Sequence, residues 1–243
     1  MNLHILTYNV FGMPWGNQSI ESVLLWAFLK TDAEILCFQE VFSESHRKVI
    51  EDICARPGSQ WTYWFPQTES TYLSRWLSSF SSVTGLCVLI KKTIHVLQEP
   101  TFHTFQHVAN VDRWVRKGFF HIYCEKDNQT FHLLTTHFQS DFTECKCNIR
   151  YENVRQKQEN ELFAYCKHLQ NVVLIGDFNT SSFRHFRVVN QNIEPTFPST
   201  GETLDHCLCL PGSSLDCLSS TYYHDVSLSD HIPVSFKLRL GKA

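Results

Sequence analysis

Short apolar runs recur along the chain, separated by segments whose apolar residues repeat every three or four positions. The apolar runs are rich in Ile, Leu, Val and Phe and are bounded by polar residues, which predicts β-strands. The predicted strands cover residues 3–10, 34–39, 61–65, 85–90, 117–124, 130–136, 172–175, 203–210 and 232–240. Asp127-Asn128 separates two of these strands and indicates a hairpin.

Three other segments predict amphipathic helices. Ser19 and Ser43 are suitable N-caps for the first two, because a serine hydroxyl can accept a hydrogen bond from the first helical turn. The third helix is predicted at 153–169. Its expected apolar face consists of Val154, Leu162, Tyr165, Cys166 and Leu169. Strands and helices therefore alternate, but the strand count alone leaves the arrangement of the sheets open.

Oxygen-bearing side chains lie where several predicted strands end. Asn9 ends the first run, Gln39-Glu40 follows the second, and Gly176-Asp177-Phe178-Asn179 follows the run at 172–175. Ser229-Asp230-His231 directly precedes the last run. A rigid sheet can hold such side chains at one point in space. Oxygen ligands without paired cysteines favour a hard cation such as Mg²⁺, so the pattern predicts a divalent-metal site.

Length and composition limit the possibilities. The chain has 243 residues and no Pro-, Gly- or Ser-rich linker, so we expect one domain, residues 1–243. Its ten cysteines form no Cys-x-x-Cys pair, which favours reduced thiols. The formal net charge of −3 argues weakly against broad electrostatic capture of nucleic acid.

The N-terminus enters a predicted strand at Leu3 without a basic, apolar leader. The longest apolar run, 23–29, is too short to cross a bilayer. We therefore expect an intracellular protein, soluble or peripheral to a membrane, with no signal peptide or transmembrane segment.

Six motifs, taken in order, resemble the endonuclease/exonuclease/phosphatase superfamily over residues 7–236. They are Thr7-Tyr8-Asn9-Val10, Gln39-Glu40-Val41, Thr136-His137, Gly176-Asp177-Phe178-Asn179, Leu204-Asp205-His206 and Ser229-Asp230-His231. The resemblance implies an α+β fold, a four-layer α/β/β/α sandwich of two mainly antiparallel sheets with outer helices. It also implies hydrolysis of a phosphodiester by water attack, with Mg²⁺ as cofactor and Mn²⁺ as a possible substitute.

On this resemblance Glu40 is the direct metal ligand, and Asn9 and Asp230 complete the metal site directly or through water. An ionised carboxylate at the end of a buried strand is costly without a cation. Two alternatives remain open from the residues alone. Glu40 could cap a helix or pair with a surface lysine, and Asp230 could belong to a turn before a strand.

The remaining catalytic roles follow from the same resemblance. His231 is expected to face the phosphate, with Asp205 behind it accepting a hydrogen bond that favours the imidazolium form. His137 would donate to a phosphate oxygen. Asp177 would orient or deprotonate the attacking water, and Asn179 would hold the phosphate or the water.

Four further motifs resemble the neutral sphingomyelinase branch of the superfamily. They are Asn9-Val10-Phe11-Gly12-Met13-Pro14, Gly85-Leu86-Cys87-Val88-Leu89, Asp112 followed by Lys117-Gly118, and Thr136-His137-Phe138-Gln139. In that branch an aspartate and a lysine placed like Asp112 and Lys117 help to shape the active site, and Lys117 would lie beside the phosphodiester. A loop salt bridge is the alternative for this pair. Arg155 and Gln158 also fit the branch, although a solvated helix face explains them equally well.

Residues 69–84 carry an apolar stripe among serines. Tyr72, Trp76 and Phe80 recur in it at helical spacing. The stripe could pack in the core, face lipid or substrate as a lid, or contact nucleic acid. Large aromatic residues beside small polar ones suit a bilayer interface, so these three residues are candidate substrate contacts.

Several functions remain open at this stage. The leading one is a sphingomyelinase-like phospholipid hydrolase, acting as a monomer with peripheral membrane contact. A nuclease or DNA-end phosphodiesterase is the alternative, for which the sequence offers scattered basic candidates at Lys146, Arg150, Arg184 and Arg187. Other phosphatases, including those acting on inositol lipids, and a non-catalytic binding module are the remaining readings.

Overall fold

In the computed structural model of the chain, the described residues form two β-sheets that pack face to face and three helices that cover their outer faces. The structure describes residues 1–11, 19–66, 84–113, 115–141, 151–190 and 192–241. The predicted stripe at 69–84, with Tyr72, Trp76 and Phe80, lies outside the described residues except for its last position.

The first sheet has six strands. They are β1 (Asn2–Asn9), β2 (Ile35–Gln39), β3 (Trp61–Trp64), β4 (Cys87–Lys91), β12 (Leu215–Tyr222) and β13 (Val234–Leu240). Their order across the sheet is β12-β13-β1-β2-β4-β3. Only β1 and β2 run parallel, and the other neighbours are antiparallel.

The second sheet has seven strands. They are β5 (His95–Val96), β6 (Thr101–Thr104), β7 (Gly118–Lys126), β8 (Gln129–His137), β9 (Val172–Asp177), β10 (Arg187–Val188) and β11 (Asp205–Cys209). The order is β10-β11-β9-β8-β7-β5, and β6 also pairs with β7. Its parallel pair is β8 and β9.

The helices are α1 (Ile20–Lys30), α2 (Glu44–Ala55) and α3 (Glu152–Cys166). Ser19 accepts a hydrogen bond from the backbone N–H of Ser22, and Ser43 accepts one from that of His46, so both predicted caps are confirmed. A short 3₁₀ turn, Asn110–Arg113, precedes β7.

Three apolar clusters define the layers. The cluster between the sheets joins side chains such as Ile5 and Ile35 of the first sheet to Leu133 and Ile175 of the second. A second cluster packs α1 and α2 on the outer face of the first sheet, and a third packs α3 on the outer face of the second. The expected α/β/β/α sandwich of mainly antiparallel sheets is confirmed.

Two features of the fold differ from the sequence prediction. Strands β5, β6, β10 and β12 were not predicted, because they are short or rich in polar residues. The buried face of α3 includes Arg155, Gln158 and Glu159 in addition to Leu162 and Cys166. The solvated alternative for Arg155 and Gln158 is therefore wrong, because both side chains bind a neighbouring loop.

Strand register brings the polar strand ends together. Asn9 lies opposite Gln39 in the β1–β2 pair, and His137 lies opposite Asp177 in the β8–β9 pair. Asp205 also lies opposite Asp177, in the β9–β11 pair. A Cβ atom at Gly176 would lie 2.1 Å from the carbonyl oxygen of Thr136, so only glycine permits this close approach beside the strand ends.

Two expectations about the whole chain can be compared with the described residues. None of their helices is long and apolar enough to cross a membrane. Eight of the ten cysteines fall in the described part, and all eight are buried free thiols.

Candidate active site

Asn9 connects four segments at the ends of the parallel strands. Its amide nitrogen donates to Oε1 of Glu40 at 3.1 Å and to Oδ2 of Asp177 at 3.0 Å. The hydroxyl of Ser229 donates to the carbonyl oxygen of Asn9 at 2.7 Å and contacts Oδ1 of Asp230 at 3.1 Å. Asn9, Glu40 and Asp230 together are called the carboxylate side below.

Glu40 carries a buried oxygen that the protein does not satisfy. Its backbone is left-handed, with φ of 65°. Its Oε2 atom has no hydrogen-bond partner among the described residues. Burial raises the pKa of Glu40 to about 7, although the nearby charge of Lys117 opposes the shift. Because Ser43 caps α2, the helix-cap alternative for Glu40 is wrong.

The donor set of the carboxylate side fits a hard divalent cation. A buried carboxylate oxygen without a donor is unfavourable, and a metal ion would satisfy it. Asp230 is exposed, and its charge further raises the pKa of Glu40. Two carboxylates and an amide oxygen match the oxygen ligands that Mg²⁺ prefers, although the amide oxygen of Asn9 also accepts a hydrogen bond from the backbone N–H of Phe11 at 3.0 Å.

His231 and Asp205 form a close pair inside the site. Nδ1 of His231 lies 2.8 Å from Oδ2 of Asp205, and both side chains are buried. Burial lowers the pKa of His231, but the charges of Asp205 and Asp177 outweigh burial and raise it to about 10. His231 is therefore an imidazolium at neutral pH, donating from Nδ1 to Asp205. His137, Asp205 and His231 are called the imidazole side below.

Asp177 lies between the two sides. Its Oδ1 accepts a hydrogen bond from the backbone N–H of Asn179 at 2.9 Å, and its Oδ2 accepts from Asn9. Nε2 of His137 and Nε2 of His231 lie 3.5 Å and 3.7 Å from the same Oδ2 atom. Burial raises the pKa of Asp177, although the charge of His231 opposes it. The carboxylate is thus placed within reach of both imidazoles.

His137 remains neutral. Burial lowers its pKa well below the usual value, and the charges of Lys117 and His231 act in the same direction. Nδ1 of His137 and Oδ1 of Asp205 have no hydrogen-bond partner among the described residues. The charge of Asp205 is nevertheless paired with His231, whereas none of the ion pairs among the described residues involves Glu40.

Asp177, Asp205 and His231 offer a second conceivable metal position, because their ligand atoms all lie within 4.8 Å of one another. The raised pKa of His231 argues against it, since a metal-binding imidazole must be deprotonated at the ligating nitrogen. The nitrogen nearest Asp205 is also already engaged in a hydrogen bond. The carboxylate side is the better candidate for the metal.

Lys117 is buried beside the site. Its ammonium group donates to the carbonyl oxygen of Phe138 at 3.0 Å and lies 3.7 Å from Oδ2 of Asp112. The amide of Asn179 donates to the same Phe138 oxygen at 3.2 Å. The alternative of a salt bridge between Lys117 and Asp112 is confirmed as a contact, but both side chains are almost fully buried. The charge of Lys117 reaches the site, as its effects on Glu40 and His137 show.

Asp112 contacts the site only indirectly. Its Oδ2 accepts hydrogen bonds from Nε2 of Gln139 at 2.8 Å and from the backbone N–H and hydroxyl of Ser140, each at 3.0 Å. Of the described residues on the carboxylate and imidazole sides, none forms a hydrogen bond or ion pair with Asp112, which reaches the site through its ion pair with Lys117. Its carboxylate therefore supports the loop after β8, and its predicted role as a substrate contact stays a prediction.

Arg155 and Gln158, which the sequence singled out without a definite role, hold this loop. Oε1 of Gln158 accepts from the backbone N–H of Gln139 at 2.9 Å, and Nη1 of Arg155 donates to the Gln139 carbonyl at 3.2 Å. Arg155 also forms an ion pair with Asp141 at 2.7 Å. Gln139 lies in a motif singled out from the sequence, which was the available signal for its importance.

Some predicted residues cannot be placed. Tyr72, Trp76 and Phe80, and the basic candidates Lys146 and Arg150, fall outside the described residues. Arg184 and Arg187 are described, and both are exposed.

Comparison with known proteins gives two kinds of similarity. No protein-family model matches the chain. The sequence is 25% identical over 200 residues to sphingomyelinase C 2 of Leptospira interrogans serogroup Icterohaemorrhagiae serovar Lai, covering 74% of this chain and 31% of that protein. A second match is sphingomyelinase C of Leptospira interrogans, 34% of which is covered. The chain thus spans about one third of the length of the curated relatives it matches.

Solved structures share the whole fold. TDP2 from D. rerio, complexed with a single-strand DNA product, superposes with a TM-score of 0.72 at 13% identity over 98% of this chain and 99% of that one. A mutant beta toxin from Staphylococcus aureus with bound magnesium ions gives a TM-score of 0.70 at 17% identity, with the same coverage. These likenesses establish the fold. The sequence similarity to the two sphingomyelinases agrees with the resemblance that the ordered motifs carry.

Proposed function

We propose that the chain is a Mg²⁺-dependent phosphodiesterase that hydrolyses a phospholipid head-group bond, as a sphingomyelinase does, by water attack on phosphorus. The observation that carries the proposal is the convergence of an unsatisfied buried Glu40 oxygen, the buried Asp177 carboxylate and the His231–Asp205 pair at one group of strand ends. A cation, a base and a fixed positive charge are the parts that phosphodiester hydrolysis requires.

Glu40, Asn9 and Asp230 would hold Mg²⁺, and Mn²⁺ could replace it. When bound, the ion would neutralise negative charge on the phosphodiester. The support for this assignment is the pair of carboxylates in the set together with the missing donor at Oε2 of Glu40.

Asp177 would take the proton from the attacking water. Its pKa is raised by burial, which makes the carboxylate a stronger base than an exposed aspartate. The hydrogen bonds from Asn9 and Asn179 keep the carboxylate fixed while it acts. Asn179 would hold the phosphate or the water from the same loop.

His231 would stabilise the charge that develops on the phosphate oxygens. It is already an imidazolium, and Asp205 fixes its ring from Nδ1, which leaves Nε2 facing Asp177 and the reacting group. The neutral His137 would donate a hydrogen bond to a non-bridging oxygen, and Lys117 would add positive charge beside it.

The choice of a phospholipid rests on the sequence similarity to two Leptospira sphingomyelinases. The proposal extends to a single catalytic domain, residues 1–243, acting as a monomer with peripheral membrane contact. The buried free thiols suit an intracellular setting.

A DNA-end phosphodiesterase is the second candidate. The fold-level likeness to TDP2 bound to a DNA product favours it. The exposed Arg184 and Arg187 would then be among the basic residues that contact the phosphate backbone.

Purified protein assayed with Mg²⁺, and again with EDTA, separates the candidates. The substrates are sphingomyelin vesicles, lysophospholipids, supercoiled DNA and an inositol polyphosphate. We expect metal-dependent release of the phospholipid head group and no comparable rate on the other substrates. Preferential cleavage of DNA would replace the leading proposal by the second, and activity that survives EDTA would contradict both.

A further inference from the structure

Thr196 contacts the backbone next to both members of the His231–Asp205 pair. It is fully buried in the loop between β10 and β11. Its hydroxyl oxygen accepts hydrogen bonds from the backbone N–H groups of Leu204 at 2.9 Å and Asp205 at 3.1 Å. Its carbonyl oxygen accepts from the backbone N–H of Ile232, the residue after His231, at 2.8 Å.

The loop that carries Thr196 is closed on itself. The backbone N–H groups of Thr196 and Phe197 both donate to the carbonyl oxygen of Glu202 at 3.0 Å. The hydroxyl of Thr203 donates to the carbonyl oxygen of Glu194 at 2.7 Å. The Phe197 ring lies against His231, with 4.9 Å between the ring centroids. Hydrogen bonds within the loop therefore hold it in a defined conformation.

Asp205 and His231 come from different sheets. Asp205 begins β11 of the second sheet, whereas His231 precedes β13 of the first. Their 2.8 Å contact depends on how the ends of these two strands are held relative to each other. Thr196 binds both ends, through its hydroxyl on one side and its carbonyl on the other.

We propose that Thr196 is a positioning residue that fixes the His231–Asp205 pair across the two sheets. The inference rests on the proposed function, because it assigns Thr196 to the support of a catalytic pair. A catalytic group displaced by about 1 Å loses much of its effect. A buried residue that forms hydrogen bonds next to both partners should therefore affect the reaction rate.

The hydroxyl is the feature on which the proposal depends. Valine has nearly the same shape but would leave the N–H groups of Leu204 and Asp205 buried without an acceptor. These N–H groups would move to find another partner, and the Asp205 carboxylate would move with them. Serine keeps the hydroxyl and should keep the geometry.

The test uses five variants and the chromogenic diester bis(p-nitrophenyl) phosphate with Mg²⁺. Thr196→Val should lower kcat about 10- to 100-fold and change KM by less than about 3-fold. Thr196→Ser should restore most of kcat. Thr203→Val, which removes a neighbouring loop hydroxyl that bonds to Glu194, is the matched control and should keep kcat within about 3-fold. Thr196→Val in a His231→Ala background should be no slower than His231→Ala alone.

Three results would overturn the inference. These are an unchanged kcat for Thr196→Val in a protein with a lowered Tm, a failure of Thr196→Ser to restore the rate, and additive losses in the double variant. If Thr196→Val does not fold, Thr196→Cys takes its place, because sulfur is a weaker acceptor. Its kcat must then lie between the wild-type and His231→Ala values for the inference to stand.

A measurement without turnover separates this inference from the proposed function. If the wild-type protein does not hydrolyse the diester, or His231→Ala is fully active, the proposed function fails by itself. The Nδ1–H proton of His231 can still be followed by NMR, because a buried hydrogen-bonded imidazole proton exchanges slowly and resonates far downfield. We expect this signal in the wild-type protein, Thr196→Ser and Thr203→Val, and its loss in Thr196→Val. An unaltered signal in Thr196→Val would overturn the inference.

Discussion

The carboxylate side and the imidazole side of the site differ in how their charges are balanced. On the imidazole side, Asp205 holds a protonated His231 at 2.8 Å, so two opposite charges neutralise each other. On the carboxylate side, Glu40 receives only a neutral amide donor at one oxygen and nothing at the other among the described residues. Among the described residues, the charges of His231 and Asp205 are therefore paired with each other, whereas no ion pair involves Glu40.

This difference in charge balance suggests a different role for each side of the site. Burial raises the pKa of Glu40 to about 7, so a bound cation would stabilise its anion, and we propose that the carboxylate side binds the metal. The His231–Asp205 pair is held by a buried hydrogen bond within the protein, which suits electrostatic stabilisation of a transition state. Asp177 contacts both sides and is the point where they meet.

The largest effect is expected from Glu40→Gln. Removing the carboxylate should reduce turnover by about 10³-fold or more, because it removes metal binding worth several kcal/mol in the transition state. In EDTA the Tm of this variant should equal or exceed that of the wild-type protein, since an unsatisfied buried charge is lost. Mg²⁺ should raise the Tm of the wild-type protein only.

Glu44→Gln is the matched control, because Glu44 is exposed on the first turn of α2. It should keep full activity and the Mg²⁺-dependent rise in Tm. Normal turnover of Glu40→Gln, or an equal stabilisation of that variant by Mg²⁺, would remove Glu40 from the metal site.

A smaller loss is expected on the imidazole side. His231→Ala should lower kcat about 10²- to 10⁴-fold, because a fixed positive charge beside the phosphate is removed. Asp205→Asn should also slow the reaction, and the double variant should lose much less than the product of the single losses. Steady-state kinetics at saturating Mg²⁺ provide the measurement. Fully additive losses would show that the two residues do not act as a pair.

A third effect concerns the membrane rather than either side of the site. Replacing Trp76 and Phe80 by serine should weaken membrane binding by about 2–5 kcal/mol if the stripe lies in a bilayer interface. Hydrolysis of vesicles should fall steeply, while a short-chain, water-soluble phosphodiester should be cut at a near-normal rate. A large fall in Tm with parallel loss of both activities would assign the stripe to the core instead.

The smallest effects are changes in the stability of the fold with pH, measured in EDTA. The two sides of the site should change stability over different pH ranges. The raised pKa of His231 means that its stabilising charge is fully present below pH 6.5 and is lost as the pH rises towards about 10. The raised pKa of Glu40 means that ionisation destabilises the fold as the pH rises from about 4.5 to about 7.

Tm profiles of the wild-type protein, Glu40→Gln and His231→Gln test these windows. As the pH rises from 4.5 to about 7, the Tm of Glu40→Gln should rise relative to that of the wild-type protein. The Tm of His231→Gln should lie below that of the wild-type protein at pH 6.5, and this difference should disappear as the pH rises to about 10. Parallel profiles for all three proteins would contradict the assigned charges.

The sequence predicts the strands that are buried between layers, because these strands are mostly apolar. β1, β2 and β9 are of this kind, and the polar residue at the end of each run therefore stands out. Asn9, Glu40 and Asp177 could be identified for that reason. These residues come together because two pairs of strands, β1 with β2 and β8 with β9, run parallel. In a parallel pair the carboxyl ends of both strands lie side by side.

The remaining strands and contacts depend on residues that are distant in the sequence, so no local sequence pattern predicts them. β12 alternates buried and exposed residues and reads as a polar segment, so its strand character appears only beside β13. Arg155 and Gln158 look like a solvated helix surface until the loop after β8 is placed against them. Thr196 is an ordinary loop threonine in the sequence, and its contacts come from residues brought near by the fold.

The most direct test of the difference between the two sides is the position of the metal in a crystal grown with Mn²⁺. Anomalous scattering locates manganese independently of any assumption about its ligands. The account predicts an anomalous peak bonded to Glu40 at the carboxylate side, with the His231–Asp205 hydrogen bond intact. A peak ligated by His231, Asp205 and Asp177, with Glu40 unbound, would contradict it.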